Sequence, residues 1–288
     1  MEKLWKTYYL FHESHADPVL IGIVHPSIMD IEEKLEKEVK FFFIRYFENG
    51  YHIRLRLLLT AEETDSFYFL LKDRISAYEH LNEDRIVLKE AQYIPETDRY
   101  GNTETITIAE DQFYASSRFI LHCLVQNHPL TNSERYLLAL KIHLAFFKGM
   151  ELSQNYSLQL CDTFVQSWLP VPFSENADEQ EQNRKNILNA FQIQLDSYQH
   201  LLIENLTIFW NTSDTTEDSS LEEFLGSNKE VFAKYTQSQL ASEAIGEALL
   251  SFIHMANNRL GIVNAEESYI IFFIMRIIPL IKNYDHKA

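Results

Sequence analysis

Phe41–Leu59, which reads FFFIRYFENGYHIRLRLLL, is the stretch that decides the fold. Two runs of aromatic and aliphatic residues flank Asn49-Gly50, and both of these residues tolerate the positive φ angles of a tight hairpin turn. The stretch therefore predicts two antiparallel strands. If the loop has two residues, its length also decides which residues of the two strands lie opposite each other.

This predicted register brings basic side chains together. Side chains alternate along a strand, so His52, Arg54 and Arg56 share one face of the second strand. The two-residue loop sets Arg45 opposite Arg54 and Phe43 opposite Arg56, on that same face. Like charges directly across a sheet are destabilising, so three arginines on one face predict a bound anion. The alternative is a solvated face whose arginines pair with local carboxylates.

The residues around the hairpin complete a recognisable order of elements. Thr60 and Glu63 match a capping box, in which each residue's side chain bonds the other's backbone N–H at the start of a helix. The predicted order is strand, helix, hairpin, helix, strand, which is typical of a ferredoxin-like βαββαβ sheet. The flanking elements are a strand at Leu4–His12, a helical stretch at Val19–Val39 broken near Pro26, a helix ending near Leu81, and a strand at Arg85–Ile94.

Beyond residue 103 the pattern changes to helices. Apolar residues recur at three- and four-residue steps, and no clear strand returns. We therefore expect an α+β protein, with a sheet region at 1–103 and a mainly helical region at 104–288. The predicted helices are Ile106–Gln126, Asn132–Met150, Leu152–Ser167, Gln180–Leu202, Leu221–Lys234, Ser238–Leu260 and Ala265–Ile278.

Composition argues against several classes of protein. The net charge of −17 counts against direct nucleic-acid binding, which needs a basic surface. Cys123 and Cys161 are isolated in sequence, which indicates buried thiols in a reducing compartment. There is no signal peptide and no apolar run long enough to span a membrane, so a cytoplasmic location is expected. Nucleotide-loop and metal-site motifs are absent.

A second polar cluster follows the last predicted strand, in the stretch Tyr93-Ile-Pro-Glu-Thr-Asp-Arg-Tyr-Gly. Pro95 ends the strand and Gly101 allows a turn. Glu96 and Arg99 therefore belong to a loop at the end of the sheet, which is a common place for chemistry. Taken alone, the two residues favour a surface ion pair.

A third cluster, Phe252-Ile-His-Met-Ala-Asn-Asn-Arg-Leu, lies near the C-terminus. His254 shares a helical face with Asn257 and Asn258. Taken alone, a histidine in such an apolar stretch favours a hydrogen-bonded core residue. The Asn-Asn-Arg sequence favours a helix C-terminus, because asparagine adopts the left-handed conformation readily.

Together, the three clusters resemble the elimination domain of class I lanthipeptide dehydratases, which also occurs in thiopeptide pathways. FFFIRY with HIRLR, then E-x-D-RYG, then IHxxNNRL follow in the family's order, and the resemblance runs from Trp5 to about Arg276. Two positions depart from the family's pattern: its RYGG ends in Asn102 here, and its Asp-Ser reads Ser116-Ser117. The long glutamylating domain of the full-length enzymes is absent, so the chain resembles the stand-alone elimination subunit of a split dehydratase.

The resemblance implies a lyase that acts on a ribosomal precursor peptide whose Ser or Thr hydroxyls carry glutamate in ester linkage. β-Elimination of glutamate would leave dehydroalanine or dehydrobutyrine. Arginine presents a rigid, charged fork suited to carboxylates, and histidine exchanges protons near neutral pH. The expected catalytic residues are Arg56, Arg99, Glu96 and His254, and the expected substrate-binding residues are Arg54, Arg45 and Asn258.

The resemblance also implies partners. A separate glutamyl-tRNA-dependent protein would glutamylate the precursor peptide, while this chain would bind no nucleic acid directly. A homodimer is left open. Two other functions remain as alternatives. One is the pyridine-forming [4+2] cycloaddition of thiopeptide pathways, and the other is a non-catalytic module that binds the precursor peptide.

Overall fold

The computed structural model describes residues 2–263, 265–281 and 284. Contacts within the chain define two compact units, of which the first comprises Met1–Pro129 with Asn258–Gly261 and the second comprises Leu130–Asn257 with Ile262–Ala288. The boundary predicted at residue 103 lies inside the first unit, because the helix that follows it packs against the second strand of the sheet.

The described part of the first unit contains a four-stranded antiparallel sheet in the order β2-β3-β1-β4. Together with the helices between the strands, this order gives the ferredoxin-like βαββαβ arrangement, which confirms the predicted fold class. The strands are β1 Leu4–Phe11, β2 Phe41–Phe47, β3 Tyr51–Leu59 and β4 Val87–Ala91.

The hairpin between β2 and β3 has a three-residue loop, Glu48–Gly50, and not the two-residue loop that we predicted. Asn49 and Gly50 take the positive φ angles that the sequence suggested, at 56° and 119°. The extra loop residue shifts the pairing by one, so Arg45 lies opposite Ile53. A shift of one residue moves a side chain to the other face of the sheet. The prediction that Arg45 shares a face with Arg54 and Arg56 is therefore wrong.

Helices cover one face of the sheet. The core on that side is built from fully buried apolar residues, such as Leu10, Leu55 and Leu57 of the strands and Phe67 of the covering helix. The predicted capping box is confirmed, since Thr60 and Glu63 bond each other's backbone N–H groups. The helices of this unit are α1 Ala16–Val19, α2 His25–Leu35, α3 Ala61–Leu81 and α4 Ile106–Asn127.

Pro26 does not break the first helical stretch into separate helices. A π-helical turn, Leu20–Val24, joins α1 to α2 and places Pro26 in the first turn of α2. Proline is tolerated there because the first N–H groups of a helix need no intrahelical acceptor. The helix ends at Leu35, earlier than predicted, where Glu36 adopts a left-handed conformation.

The described part of the second unit consists of helices joined by loops and contains no strand, as predicted. The three- and four-residue spacing in this region selects Leu137, Leu140, Leu144 and Phe147, of which the last three are buried in the core and Leu137 is partly exposed. No helix in the described ranges is both long and apolar enough to cross a lipid bilayer. The helices are α5 Asn132–Gly149, α6 Gln154–Trp168, α7 Ala177–Thr212, α8 Ser219–Gln237, α9 Ser242–Leu260 and α10 Ala265–Ile277, and the last residues of α9 belong to the first unit.

Candidate active site

Arg56 lies on the face of the sheet opposite the covering helices. It pairs with Phe42 of β2 on one side and with Thr7 of β1 on the other. Its guanidinium carbon stands 5.1 Å from the centroid of the Phe42 ring and 5.1 Å from that of Tyr93. Two aromatic rings therefore hold the cation by cation–π contacts.

No carboxylate in the described part of the chain pairs with Arg56, and its Nε is buried without a hydrogen-bond partner. Burial lowers the pKa of Arg56. Burial also raises the pKa of the Tyr93 phenol, so Tyr93 stays neutral and does not cancel the charge of Arg56. Glu96 attracts the charge of Arg56 without forming an ion pair with it. A half-buried cation without an ion-pair partner is costly unless a ligand supplies the missing charge.

Arg54 lies on the same face but has protein partners. Its Nε donates a hydrogen bond to Nε2 of His52 at 3.1 Å, and Nη2 forms an ion pair with Glu48 at 3.0 Å. The guanidinium also stacks 3.5 Å from the centroid of the Tyr46 ring. These contacts match the alternative that we weighed for this face, in which an arginine pairs with a local carboxylate.

The loop after β4 brings Glu96 and Arg99 together. The two side chains form an ion pair of 3.3 Å across a short 3₁₀ turn, Thr97–Tyr100. The ring of Tyr100 is buried, and burial raises the pKa of its phenol to about 12. The positive charges of Arg99, Arg259 and Arg56 lower the pKa of the same phenol, although burial has the larger effect. The three guanidinium groups thus share one electrostatic neighbourhood.

Arg45 and Asn258 bind each other. Asn258 Oδ1 accepts from the backbone N–H of Arg45, and Asn258 Nδ2 donates to the Arg45 carbonyl, both at 2.9 Å. The Arg45 guanidinium forms an ion pair of 2.6 Å with Asp17 and donates to the Arg259 carbonyl. These contacts give both residues a structural role at the outer edge of β2, and their predicted part in substrate binding stays a prediction.

Arg259 is the arginine of the Asn-Asn-Arg sequence, which we interpreted only as a helix end. It is 1% exposed, and burial lowers its pKa to about 10. Nε donates to the carbonyl of Phe43 and Nη1 donates to the hydroxyl of Ser116, while the hydroxyl of Ser117 accepts from the Phe43 N–H. Side chains of α9 and α4 thus occupy the backbone groups that β2 would otherwise offer to another strand.

Position 116 is one of the two departures from the pattern of the family that the sequence resembles. That resemblance implies an aspartate there, whereas Ser116 offers Arg259 a hydroxyl. Two features of the sequence pointed to the contact between Arg259 and Ser116. One is a charged residue in an apolar helix end, and the other is the missing aspartate, but neither alone identified the contact.

His254 belongs to the second unit and is oriented by a carboxylate. Its Nδ1 bonds Oε2 of Glu267 at 2.8 Å, and the Glu267 side chain is only 4% exposed. The His254 side chain is 25% exposed, and its ring lies 6.0 Å from that of Trp168. The sequence analysis missed Glu267, although an acidic residue at the start of the very apolar helix α10 was a visible signal.

The bond to Glu267 has a chemical consequence. A buried carboxylate that accepts from Nδ1–H leaves Nε2 of the neutral ring as the nitrogen that can take up a proton. A base oriented by a third group in this way is a common catalytic arrangement. Within the described ranges, no group of three or more His, Cys, Asp and Glu side chains could hold a metal ion.

The family model described as lantibiotic biosynthesis dehydratase C-term matches residues 5–278, nearly the whole chain. The chain belongs to this family. It is also 25% identical, over 249 residues, to the epidermin biosynthesis protein EpiB of Staphylococcus epidermidis. That match covers 85% of this chain and 23% of EpiB, so the chain spans about a quarter of the relative's length.

Solved structures share the fold. The tRNA-dependent lantibiotic dehydratase MibB from Microbispora sp. 107891 superposes with a TM-score of 0.65 at 17% identity, over 95% of this chain and 28% of MibB. The pyridine synthase TbtD from thiomuracin biosynthesis gives 0.69 at 10% identity, over 96% of this chain and 98% of TbtD. TsrL gives 0.63 at 14% identity, over 99% and 100% of the two chains. At such identities these likenesses speak for the fold alone.

Proposed function

We propose that this chain is the glutamate-elimination component of a peptide dehydratase. Its substrate would be a precursor peptide bearing glutamyl esters on Ser or Thr, and its products would be dehydroalanine or dehydrobutyrine and free glutamate. The observation that carries the proposal is the state of Arg56, a half-buried guanidinium between aromatic rings with no carboxylate partner in the described part of the chain.

Arg56 would bind the free carboxylate of the glutamyl group. Its planar fork can donate two parallel hydrogen bonds to a carboxylate, which lysine cannot do. Arg99, held by Glu96, would stabilise negative charge that develops on the peptide or on the departing carboxylate. Arg259 and Arg54 would add to the positive potential around these groups.

His254 would act as the general base. With Nδ1 bonded to Glu267, Nε2 can accept the α-proton of the esterified residue. The proton goes to His254 and the Cα=Cβ double bond forms. At the same time the bond between Cβ and the ester oxygen breaks, and its electron pair leaves with the former ester group of glutamate, which becomes a carboxylate. This step needs no cofactor or metal. A separate glutamyl-tRNA-dependent protein would make the ester, and cytoplasmic location stays a prediction.

The second candidate is pyridine-forming cycloaddition, the activity in the name of TbtD, whose fold this chain shares over nearly the full length of both chains. Cycloaddition joins dehydroalanine residues and has no departing glutamate to neutralise. The arginines and the Glu267–His254 pair would then have no evident chemical task. A non-catalytic peptide-binding module would likewise not need an oriented base.

Mass spectrometry separates these functions. The purified chain is incubated with a precursor peptide that carries glutamyl esters, then with the unmodified peptide, and then with a peptide that carries dehydroalanines. We expect loss of glutamate with formation of dehydro residues in the first reaction only, and loss of this activity in Glu267→Gln and His254→Ala. Ring formation in the third reaction would support the second candidate, and an unchanged ester in the first would refute elimination.

A further inference from the structure

The sheet face that carries Arg56, opposite the covering helices, is called the open face. Two buried polar groups on this face lack a hydrogen-bond partner. They are the hydroxyl Oγ1 of Thr7 and the Nε of Arg56. Thr7 is 2% exposed, so water does not satisfy its hydroxyl from the surface. Buried donors rarely remain unpaired in native proteins, and each one calls for an explanation.

The two groups belong to residues that lie directly opposite each other in β1 and β3, so their side chains share one face. Cβ atoms of such pairs are about 4.5–5.5 Å apart. Arg56 Nε–H could donate to the Thr7 hydroxyl, yet the two atoms do not form a hydrogen bond. Each group thus lacks a partner, and a single acceptor that bridged them would take a hydrogen bond from both.

The surroundings favour an anionic acceptor. The row of paired residues across the sheet reads Phe42, Arg56, Thr7 and Ala91, and it contains no acidic side chain. Two carboxyl groups lie outside this row: Glu110 has hydrogen-bond partners of its own, and Glu96 attracts the charge of Arg56 without pairing with it. The rings of Trp5 and Phe42 meet edge to face at 4.8 Å, next to the guanidinium. Apolar walls strengthen the attraction between a cation and an anion, because they exclude water.

We propose that Thr7 is a further substrate-binding residue, whose hydroxyl donates a hydrogen bond to an oxygen of the carboxylate that Arg56 binds. This inference rests on the proposed function, since the carboxylate is that of the glutamyl group. The two donors come from the neighbouring strands β1 and β3.

Thr7→Val tests the role, because valine keeps the shape and removes the hydroxyl, whereas Thr7→Ser keeps the hydroxyl. A hydrogen bond to a charged group corresponds to a loss of about tenfold or more in kcat/KM. We expect that loss in Thr7→Val and near-normal activity in Thr7→Ser. Thr207→Val is the matched control, because Thr207 Oγ1 of α7 is also buried and unpartnered but belongs to the other unit.

Thermal unfolding with and without glutarate, a free dicarboxylate, gives a readout that does not depend on elimination. Glutarate should raise the Tm of the wild type and of Thr7→Ser. It should raise the Tm of Thr7→Val by clearly less, since Arg56 remains, and should leave that of Arg56→Gln unchanged. Without glutarate, Thr7→Val should unfold at the wild-type temperature or higher, because no hydrogen bond of the protein is lost.

Two results would overturn the proposal. One is full activity of Thr7→Val. The other is a lowered Tm of Thr7→Val with an intact glutarate response, which would identify a structural water between the two donors. If the wild type eliminates no glutamate but its glutarate response requires Thr7, the elimination function fails and the carboxylate site stands.

Discussion

The two faces of the sheet each carry an arginine from the same hairpin, but only one of these two arginines forms an ion pair. On the helix-covered face, Arg45 is paired with Asp17 at 2.6 Å and also bonds a backbone carbonyl. On the open face, Arg56 has aromatic neighbours but forms no ion pair with a carboxylate of the described residues. We therefore propose that Arg45 mainly serves the fold and that Arg56 binds a ligand.

The cost of the open-face arrangement supports this interpretation. Removing a guanidinium from water without a counter-ion costs free energy, and a protein that only needed stability would lose nothing by placing an apolar residue there. Departures from good local pairing concentrate at functional sites. Arg54, two residues away, shows that the same face can supply a carboxylate partner, because it pairs with Glu48.

The largest expected effect comes from Arg56→Lys. Lysine keeps the charge but loses the planar fork, so glutamate elimination should fall by about a thousandfold with little change in Tm. The rate of dehydro-residue formation is followed by mass spectrometry. Arg74→Lys in α3, where Arg74 forms a half-exposed ion pair with Asp30, is the matched control and should remain active. A fully active Arg56→Lys would reduce Arg56 to a general positive charge.

Arg45→Met should produce the opposite pattern. It leaves the Asp17 carboxylate buried without its guanidinium partner, so the free energy of unfolding should fall by about 3 kcal/mol. Activity per folded molecule should change little. Denaturant unfolding and the elimination assay, run on the same preparation, measure the two effects. If Arg45→Met loses activity and keeps its stability, Arg45 belongs to the substrate site and the contrast between the faces fails.

The sequence predicted the fold better than it predicted the difference between Arg45 and Arg56. Asn49-Gly50 correctly predicted the hairpin, but its type of turn could not be read from the two residues, and the single extra loop residue moved Arg45 to the covered face. The alternation within β3 did not depend on the loop, so Arg54 and Arg56 were assigned to one face correctly.

Contacts between residues far apart in the sequence could not be predicted from the local sequence patterns. Arg259 bonds Phe43, which precedes it by more than two hundred residues, and nothing in the local pattern near Arg259 shows that partner. Glu267 follows His254 by thirteen residues on a different helix, so helical spacing gave no reason to pair them. Such pairs depend on how helices pack, which local periodicity does not determine.

A smaller effect is expected from a buried neutral base in the helical unit. His143 is fully buried, Nε2 bonds Oδ1 of Asn257 at 2.8 Å, and burial lowers its pKa from 6.5 to about 4. Its folded-state pKa lies below the unfolded value, so the unfolded chain takes up a proton first as the pH falls. The stabilising contribution is full above pH 6.5 and is lost as the pH falls towards 4.

Because of His143, the free energy of unfolding should therefore fall by about 2 kcal/mol when the pH is lowered from 8 to 5. Denaturant unfolding at the two pH values measures the loss. His143→Gln keeps a donor for Asn257 but cannot be charged, so its loss over that range should be smaller than that of the wild type by about this amount. His80→Gln, at an exposed position of α3, is the control and should behave like the wild type. Equal losses in His143→Gln and the wild type would show that His143 does not carry the effect.

The central claim is that Arg56 binds the free carboxylate of the glutamyl group. The most direct test compares glutamyl and glutaminyl esters of the same peptide, with the wild type and with Arg56→Gln, because the glutaminyl ester replaces only that carboxylate by an amide. We expect the wild type to prefer the glutamyl ester by about a hundredfold in kcat/KM and Arg56→Gln to show almost no preference. A preference that survives in Arg56→Gln would contradict the account, because another group would then recognise the carboxylate.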